Sequence, residues 1–246
     1  MSKILKYAVP AAFISSLPFL ANAADSANLK SDDFVGISFW LISMALVAST
    51  AFFFMETQRV SAKWKTSLTV SGLVTLVAAV HYFYMRDVWV GTGETPTVYR
   101  YIDWLITVPL QIVEFYLILA AVTSVSASLF WKLLVGSLVM LIGGYMGEAG
   151  YMAKMPAFAI GMIGWAYIIY LIFAGEAANV NASSGNAASQ MAFKSIRMIV
   201  LVGWAIYPIG YLMGSSEALN IIYNLADLVN KTAFGVVIWA AAVSDS

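Results

Sequence analysis

Apolar stretches of about 20 residues recur along the chain between short polar segments. At 1.5 Å per residue, a helix of that length crosses the roughly 30 Å hydrocarbon core of a bilayer. The pattern predicts spans at residues 34–55, 66–86, 97–121, 129–147, 155–175, 193–214 and 218–243. The predicted fold is an all-α membrane protein with seven transmembrane helices. Between the fifth and sixth spans, the low-complexity run NVNASSGNAASQ (residues 179–190) reads as a flexible loop. The first residues pair Lys3 and Lys6 with a short apolar run, broken by Pro10 and Pro18 and followed by the small residues Ala21 and Ala23. That is the pattern of a cleavable secretory signal over residues 1–24, which leaves 25–246 as one membrane domain.

Basic residues orient the spans. Arg59, Lys63 and Lys65 crowd the first loop, Lys132 the third, and Lys194 and Arg197 the fifth, against Lys30, Arg86 and Lys154 on the other side. The bias puts the N-terminus outside and the C-terminus in the cytoplasm. Composition agrees with a multi-pass protein of the cell (inner) membrane whose main partner is the lipid bilayer: 61% of the 246 residues are hydrophobic and 11% charged, with a mean hydropathy of +0.83. Thirteen basic against thirteen acidic residues leave no net charge to attract nucleic acid. Without cysteine there is no disulfide, thiolate metal site or thiol nucleophile, and the single His81 cannot build a metal centre.

The charges inside the spans carry the chemistry. Lys231 lies near the middle of the seventh span, where a cation costs roughly 3 kcal/mol, so something must compensate it. Asp227 and Tyr223 precede it by four and eight residues and share its helical stripe. Such a pair either tethers helices or serves a function. The third span, RYIDWLITVPLQIVEFY, adds Arg100, Asp103 and Glu114. Arg100 and Lys231 balance Asp103 and Asp227, which leaves Glu114 among apolar neighbours, where burial favours the neutral acid. With Asp103 towards the outside and Glu114 towards the cytoplasm, Lys231 falls between an acceptor and a donor, the order a vectorial proton relay needs. Trp104, Trp165, Trp204 and Tyr207 also lie at membrane depth, either as packing or as walls for an elongated apolar ligand. Pro109 and Pro208 are expected to bend their helices.

RYIDW with a second carboxyl eleven residues past its Asp, WAIYP in span six and YNLADLVNK in span seven resemble the microbial rhodopsins. GYMGEAGYM around Glu148 and VHYFYMR around His81 resemble the proteorhodopsins in particular. The resemblance covers everything after the signal segment. It implies all-trans retinal held as a protonated Schiff base on Lys231, with Asp103 and Asp227 as counterions. Asp103 would accept the proton with His81 as its partner, and Glu114 would supply the next one. Arg100 would belong to the external path, and Trp104, Trp165, Trp204 and Tyr207 would line the pocket. Gln111 resembles the residue of blue-absorbing members, as opposed to an apolar residue in green-absorbing ones. The glutamate pair that releases protons in bacteriorhodopsin-like members has no clear counterpart here. Glu217 is displaced, and Glu148 is a candidate substitute. By analogy the chain forms rings of five or six copies, with Trp40 at the contact. The expected function is a light-driven outward proton pump, not an enzyme; the alternative is a slow-cycling light sensor that signals through a partner.

Overall fold

The computed structural model describes residues 29–214 and 216–245; the expected signal segment lies outside them. Seven helices are long and apolar enough to cross a membrane: α1 (Phe34–Glu56), α2 (Ala62–Thr92), α3 (Thr97–Ala120), α4 (Ala127–Glu148), α5 (Lys154–Ser183), α6 (Ala187–Met213) and α7 (Glu217–Ser244). Consecutive helices pack side by side, and α7 packs on both α1 and α6, so the seven close into a ring. No strand occurs among the described residues. In lipid this follows from backbone chemistry, because a helix satisfies its own N–H and C=O groups without water. Large side chains such as Phe39, Leu46, Phe115 and Phe193 fill the interior. Ile163, Val202 and Val229 stay exposed on the outer wall, where hydrocarbon is the solvent. α4 and α5 approach closely enough that a Cβ on Gly164 would meet the backbone of Met140.

Two ends differ from the hydropathy pattern. α2 runs six residues past position 86, to Thr92, because its last turns are held by polar contacts that hydropathy does not register. Arg86 is buried, pairs with Asp87 at 3.2 Å and stacks over Trp40. The Trp89 indole donates to Asp33 Oδ1 (3.1 Å), which also caps α1 at Gly36 N (2.8 Å). Gly93, at φ 70°, then closes the helix by donating to Trp89 O. The second difference is a correction: most of residues 179–190 are helical, not a flexible loop. Glu176–Ser183 form a helical extension of α5, and Asn186 caps α6 by accepting from Ser189 N at 2.8 Å. Alanine is the strongest helix former, and here it outweighs the interspersed Asn and Ser. Gln190 Nε2 donates to Asn181 O and Ala182 O, which satisfies carbonyls at the end of the extension.

α6 and α7 are irregular at the level of the buried charges. In α6 a π-helical stretch, Ile199–Gly203, runs into a turn at Trp204 and Ala205. Pro208 has no N–H to give Trp204 O, which accepts from Tyr207 N instead (3.1 Å). The bend expected at Pro208 is therefore taken up by the π stretch and the tight three-residue turn that follows it. In α7 a second π stretch, Val229–Ala233, is centred on Lys231, and Asn230 Nδ2 donates to Gly203 O (3.1 Å) to lock the two wide turns together.

Where α7 ends, one carboxylate gathers three segments. Asp245 Oδ2 accepts from Lys63 Nζ at 2.7 Å and from Trp64 Nε1 at 3.0 Å, while Oδ1 accepts from Asn186 Nδ2 at 3.0 Å. The hydrogen bond from Lys63 holds the Asp245 carboxyl below its ordinary value. A depressed acid contributes stability above its unfolded pKa, about 3.9, and loses that contribution as pH falls through the folded value. Asp245→Asn is therefore expected to lower the thermal midpoint slightly, by less than about 1 kcal/mol for so exposed a pair. The difference from wild type should hold near neutral pH and vanish below roughly pH 4 in thermal melts of detergent-solubilised protein.

Candidate functional site

The wide turn of α7 delivers Lys231 to the centre of the ring, where it is 3% exposed. Its Nζ donates to Asp103 Oδ2 at 2.7 Å and to Asp227 Oδ2 at 2.8 Å. Asp103 comes from the second turn of α3, and Asp227 lies one turn before the lysine on α7. Two anions therefore share one cation, a bare charge of minus one that a low-dielectric interior tolerates only with further donors.

Those donors fall almost entirely on one carboxylate. Asp227 Oδ2 also accepts from Tyr82 OH (3.0 Å) and Trp104 Nε1 (3.3 Å), and Oδ1 accepts from Tyr207 OH at 2.6 Å. Asp103 has only the lysine on Oδ2, and its Oδ1 is buried with no partner. Hydrogen bonds to an anion stabilise it as an anion. Asp227 is thus built to keep its charge, whereas Asp103, with the lysine as its one hydrogen-bond donor, is the carboxylate less committed to the anionic form.

The second cation stands to one side. Arg100 is 2% exposed, and its Nη2 donates to Asn220 Oδ1 (3.0 Å) and Asn224 Oδ1 (2.7 Å), amides in place of a carboxylate. Glu114 lies eleven residues beyond Asp103 on α3, is 1% exposed, and has the Ser67 hydroxyl of α2 in reach of its carboxyl but no ion pair. His81 comes within electrostatic reach of Asp103 but does not hydrogen-bond it; its Nδ1 pairs with Val77 O at 2.9 Å.

Beside Lys231 runs a pocket that, together with the open space at its mouth, measures about 850 Å³. The aromatic residues singled out in the sequence, Trp104, Trp165, Trp204 and Tyr207, all line it, as do Gln111 and Lys231 itself. Gly144 and Gly161 widen it on the α4 and α5 side. Trp165 Nε1 donates to Val200 O (3.2 Å), and Gln111 Nε2 donates to Asn230 O (3.0 Å), which fixes its amide next to the lysine. Sequence reasoning assigned no role to Tyr82, Asn220, Asn224 or Asn230. Tyr82, Asn224 and Asn230 fall inside the motifs VHYFYMR and YNLADLVNK, which was the signal that could have singled them out.

An aromatic-walled pocket that ends on a buried lysine between two carboxylates, inside a ring of seven membrane helices, defines a chromophore-type membrane transporter. The sequence matches the bacteriorhodopsin-like protein family over residues 33–245. The chain belongs to that family, whose members are light-driven transporters rather than enzymes, and it is a multi-pass protein of the cell membrane. Within the family it is 58% identical to a green-light absorbing proteorhodopsin of Gamma-proteobacterium EBAC31A08 over 231 residues, covering 91% of this chain and 92% of the relative. It is 56% identical to a blue-light absorbing proteorhodopsin of Gamma-proteobacterium Hot 75m4 over 240 residues, covering 94% and 95%. The crystal structure of a blue light-absorbing proteorhodopsin from Med12 superposes with a TM-score of 0.75 at 60% identity, covering 87% of this chain and all of that one.

The uneven distribution of donors has a measurable consequence. Asp227→Ala leaves three buried donors without their acceptor and the lysine with Asp103 alone, so it is expected to cost about 3 kcal/mol or more in the dark state, at roughly 1–3 kcal/mol for each donor left unsatisfied. Asp103→Ala, which strands only the lysine bond, should cost less. Titration with a denaturing detergent ranks the two.

Proposed function

We propose that the chain is a light-driven outward proton pump that carries all-trans retinal on Lys231 as a protonated Schiff base and absorbs blue light. The observation that carries this reading is the inequality of the two carboxylates on Lys231: Asp227 is saturated with donors and Asp103 has a free oxygen. The pocket suits such a group, since it is long, apolar and aromatic and ends on a single buried amine. Bound retinal supplies light absorption and a photoisomerisation that weakens the hold of the Lys231 nitrogen on its proton.

The residues do the rest. Asp103 Oδ2, at 2.7 Å from Nζ, takes the proton. Asp227, held by Tyr207, Tyr82 and Trp104, stays an anion throughout and keeps its place beside the nitrogen while Asp103 gains and loses its proton. Glu114, buried farther along α3 without a charged partner, returns a proton to the nitrogen from the opposite side. Arg100 provides the positive charge that draws the released proton's negative partner outward. Direction then follows from topology: the basic loops carrying Lys63, Lys65 and Lys132 lie in the cytoplasm, so the Asp103 side faces out. His81 tunes Asp103 through space.

Colour follows from Gln111. Excitation moves positive charge away from the lysine nitrogen, so a fixed amide dipole beside it stabilises the ground state and widens the gap. Identities of 58% and 56% to green and blue relatives do not separate the two colours, so this one position carries the assignment.

Cells making the protein with added all-trans retinal are expected to acidify an unbuffered medium under blue-green light, and an uncoupler should abolish the change. Asp103→Asn should keep a visible pigment and lose the acidification; pumping that survives in this variant excludes Asp103 as acceptor. Gln111→Leu should move the absorption maximum of the purified pigment to longer wavelength, and an unmoved maximum contradicts the role given to the amide.

A further inference from the structure

Arg100 is held in an unusual way for a buried cation. Buried arginines are generally stabilised by carboxylates. Here the guanidinium sits in a cradle of neutral amides, and the bonds form a continuous chain across the ring. Asn224 accepts from Arg100 Nη2 at 2.7 Å and donates to Ser38 Oγ of α1 at 2.8 Å. Asn220 accepts from the same nitrogen at 3.0 Å and donates to Thr95 Oγ1 of the α2–α3 connection at 3.0 Å. Both asparagines are buried, at 2% and 0% exposed. The guanidinium also lies near the rings of Phe39 and Tyr223, 5.4 and 5.6 Å from their centroids. Its remaining nitrogens, Nε and Nη1, are buried without a partner, and Arg100 lines a polar cavity with Glu148 and Lys154 beyond it.

We propose that Asn224 and Asn220 are positioning residues for proton release: they fix the Arg100 side chain between the Lys231 cluster and this outer cavity without neutralising its charge. A carboxylate at either position would hold the guanidinium as firmly but cancel it, leaving Asp103, Asp227 and Lys231 with net charge minus one. An apolar residue would leave the charge intact but free to swing. Neutral acceptors give a fixed position and leave the charge free to act on the Lys231 cluster, and a proton leaving Asp103 toward the cavity must pass that charge. Ser38 and Thr95 are the outer buttresses that orient the two amides. This inference rests on the proposed pumping cycle for its consequence, but the cradle itself is a property of the dark protein.

The test uses the full-length, retinal-loaded protein and two readouts. The first is solid-state NMR of ¹⁵N-labelled arginine in the dark, which reports on the Arg100 nitrogens whether or not the protein pumps. The second is a flash experiment with a water-soluble pH dye, timing the lag between proton loss at Lys231 and proton arrival in bulk water. Asn224→Leu is expected to shift or broaden the Arg100 Nη signals and to lengthen the lag by up to about a hundredfold, the scale of cost from a misplacement of about 1 Å. Ser38→Ala, which removes only the buttress and keeps the amide, should give a smaller lag of the same sign and serves if the leucine variant fails to form pigment. Asn224→Asp should keep the arginine signals sharp and still lengthen the lag, because position is retained and charge is not; a merely structural asparagine would give a wild-type lag here. Unchanged arginine signals in both Asn224→Leu and Ser38→Ala overturn the cradle, and shifted signals with a wild-type lag overturn its role in release. A wild type that gives no light-induced release while Asn224→Leu still shifts the arginine signals instead overturns the pumping cycle and leaves the cradle standing.

Discussion

The interaction that the interior depends on is the bond from the Lys231 amine to two carboxylates at 2.7 and 2.8 Å. A bare ammonium at this depth is not sustainable in hydrocarbon, and two anions around one cation leave a deficit of their own. The deficit is met in two ways. Asp227 is wrapped by hydroxyl and indole donors from α2, α3 and α6, so one anion is spread over three neighbouring helices. The charge that remains on the cluster is offset at longer range by Arg100, whose field reaches Asp227 and which binds no carboxylate of its own. The ring of helices is thereby cross-braced through its centre by polar bonds, while ordinary packing and lipid contacts hold its outside.

The irregular backbone follows from the same requirement. α7 widens into a π stretch at Lys231 and α6 at Ile199–Gly203, and Asn230 ties the two through Gly203 O. A wide turn frees carbonyls and rotates side chains relative to a regular helix. The backbone of α7 at Asn230 then serves as an acceptor for Gln111, and the space opened next to the lysine becomes the pocket.

Much of this was legible in the sequence, and the divide has a physical basis. The seven spans were visible because a bilayer demands about 20 apolar residues in a row, and few other constraints write that signal. Their ends were not, since a cap such as Asn186 or a buried arginine such as Arg86 reads as loop in a hydropathy plot. Residues 179–190 were misread because their Asn and Ser dominated the reading while their alanines set the conformation. In the site, Lys231, Asp103, Asp227, Glu114 and Arg100 stood out because a charge in lipid is costly and therefore rare. Tyr82, Asn220, Asn224 and Asn230 did not, because an uncharged polar residue is cheap enough in a helix bundle to need no special explanation. Only the tertiary contact reveals which charge each one holds. The unequal loading of the two carboxylates, on which the mechanism turns, belongs to the same class: sequence spacing brought both to the lysine but could not rank them.

The most direct test of the central claim is time-resolved infrared difference spectroscopy on the retinal-loaded protein after a flash. A protonated-carboxyl C=O band is expected to rise in step with the loss of the Lys231 proton, to shift when Asp103 is replaced by Glu, and to be unmoved when Asp227 is replaced by Glu. A band that follows the substitution at Asp227, or the absence of any carboxyl band as the nitrogen gives up its proton, would contradict it.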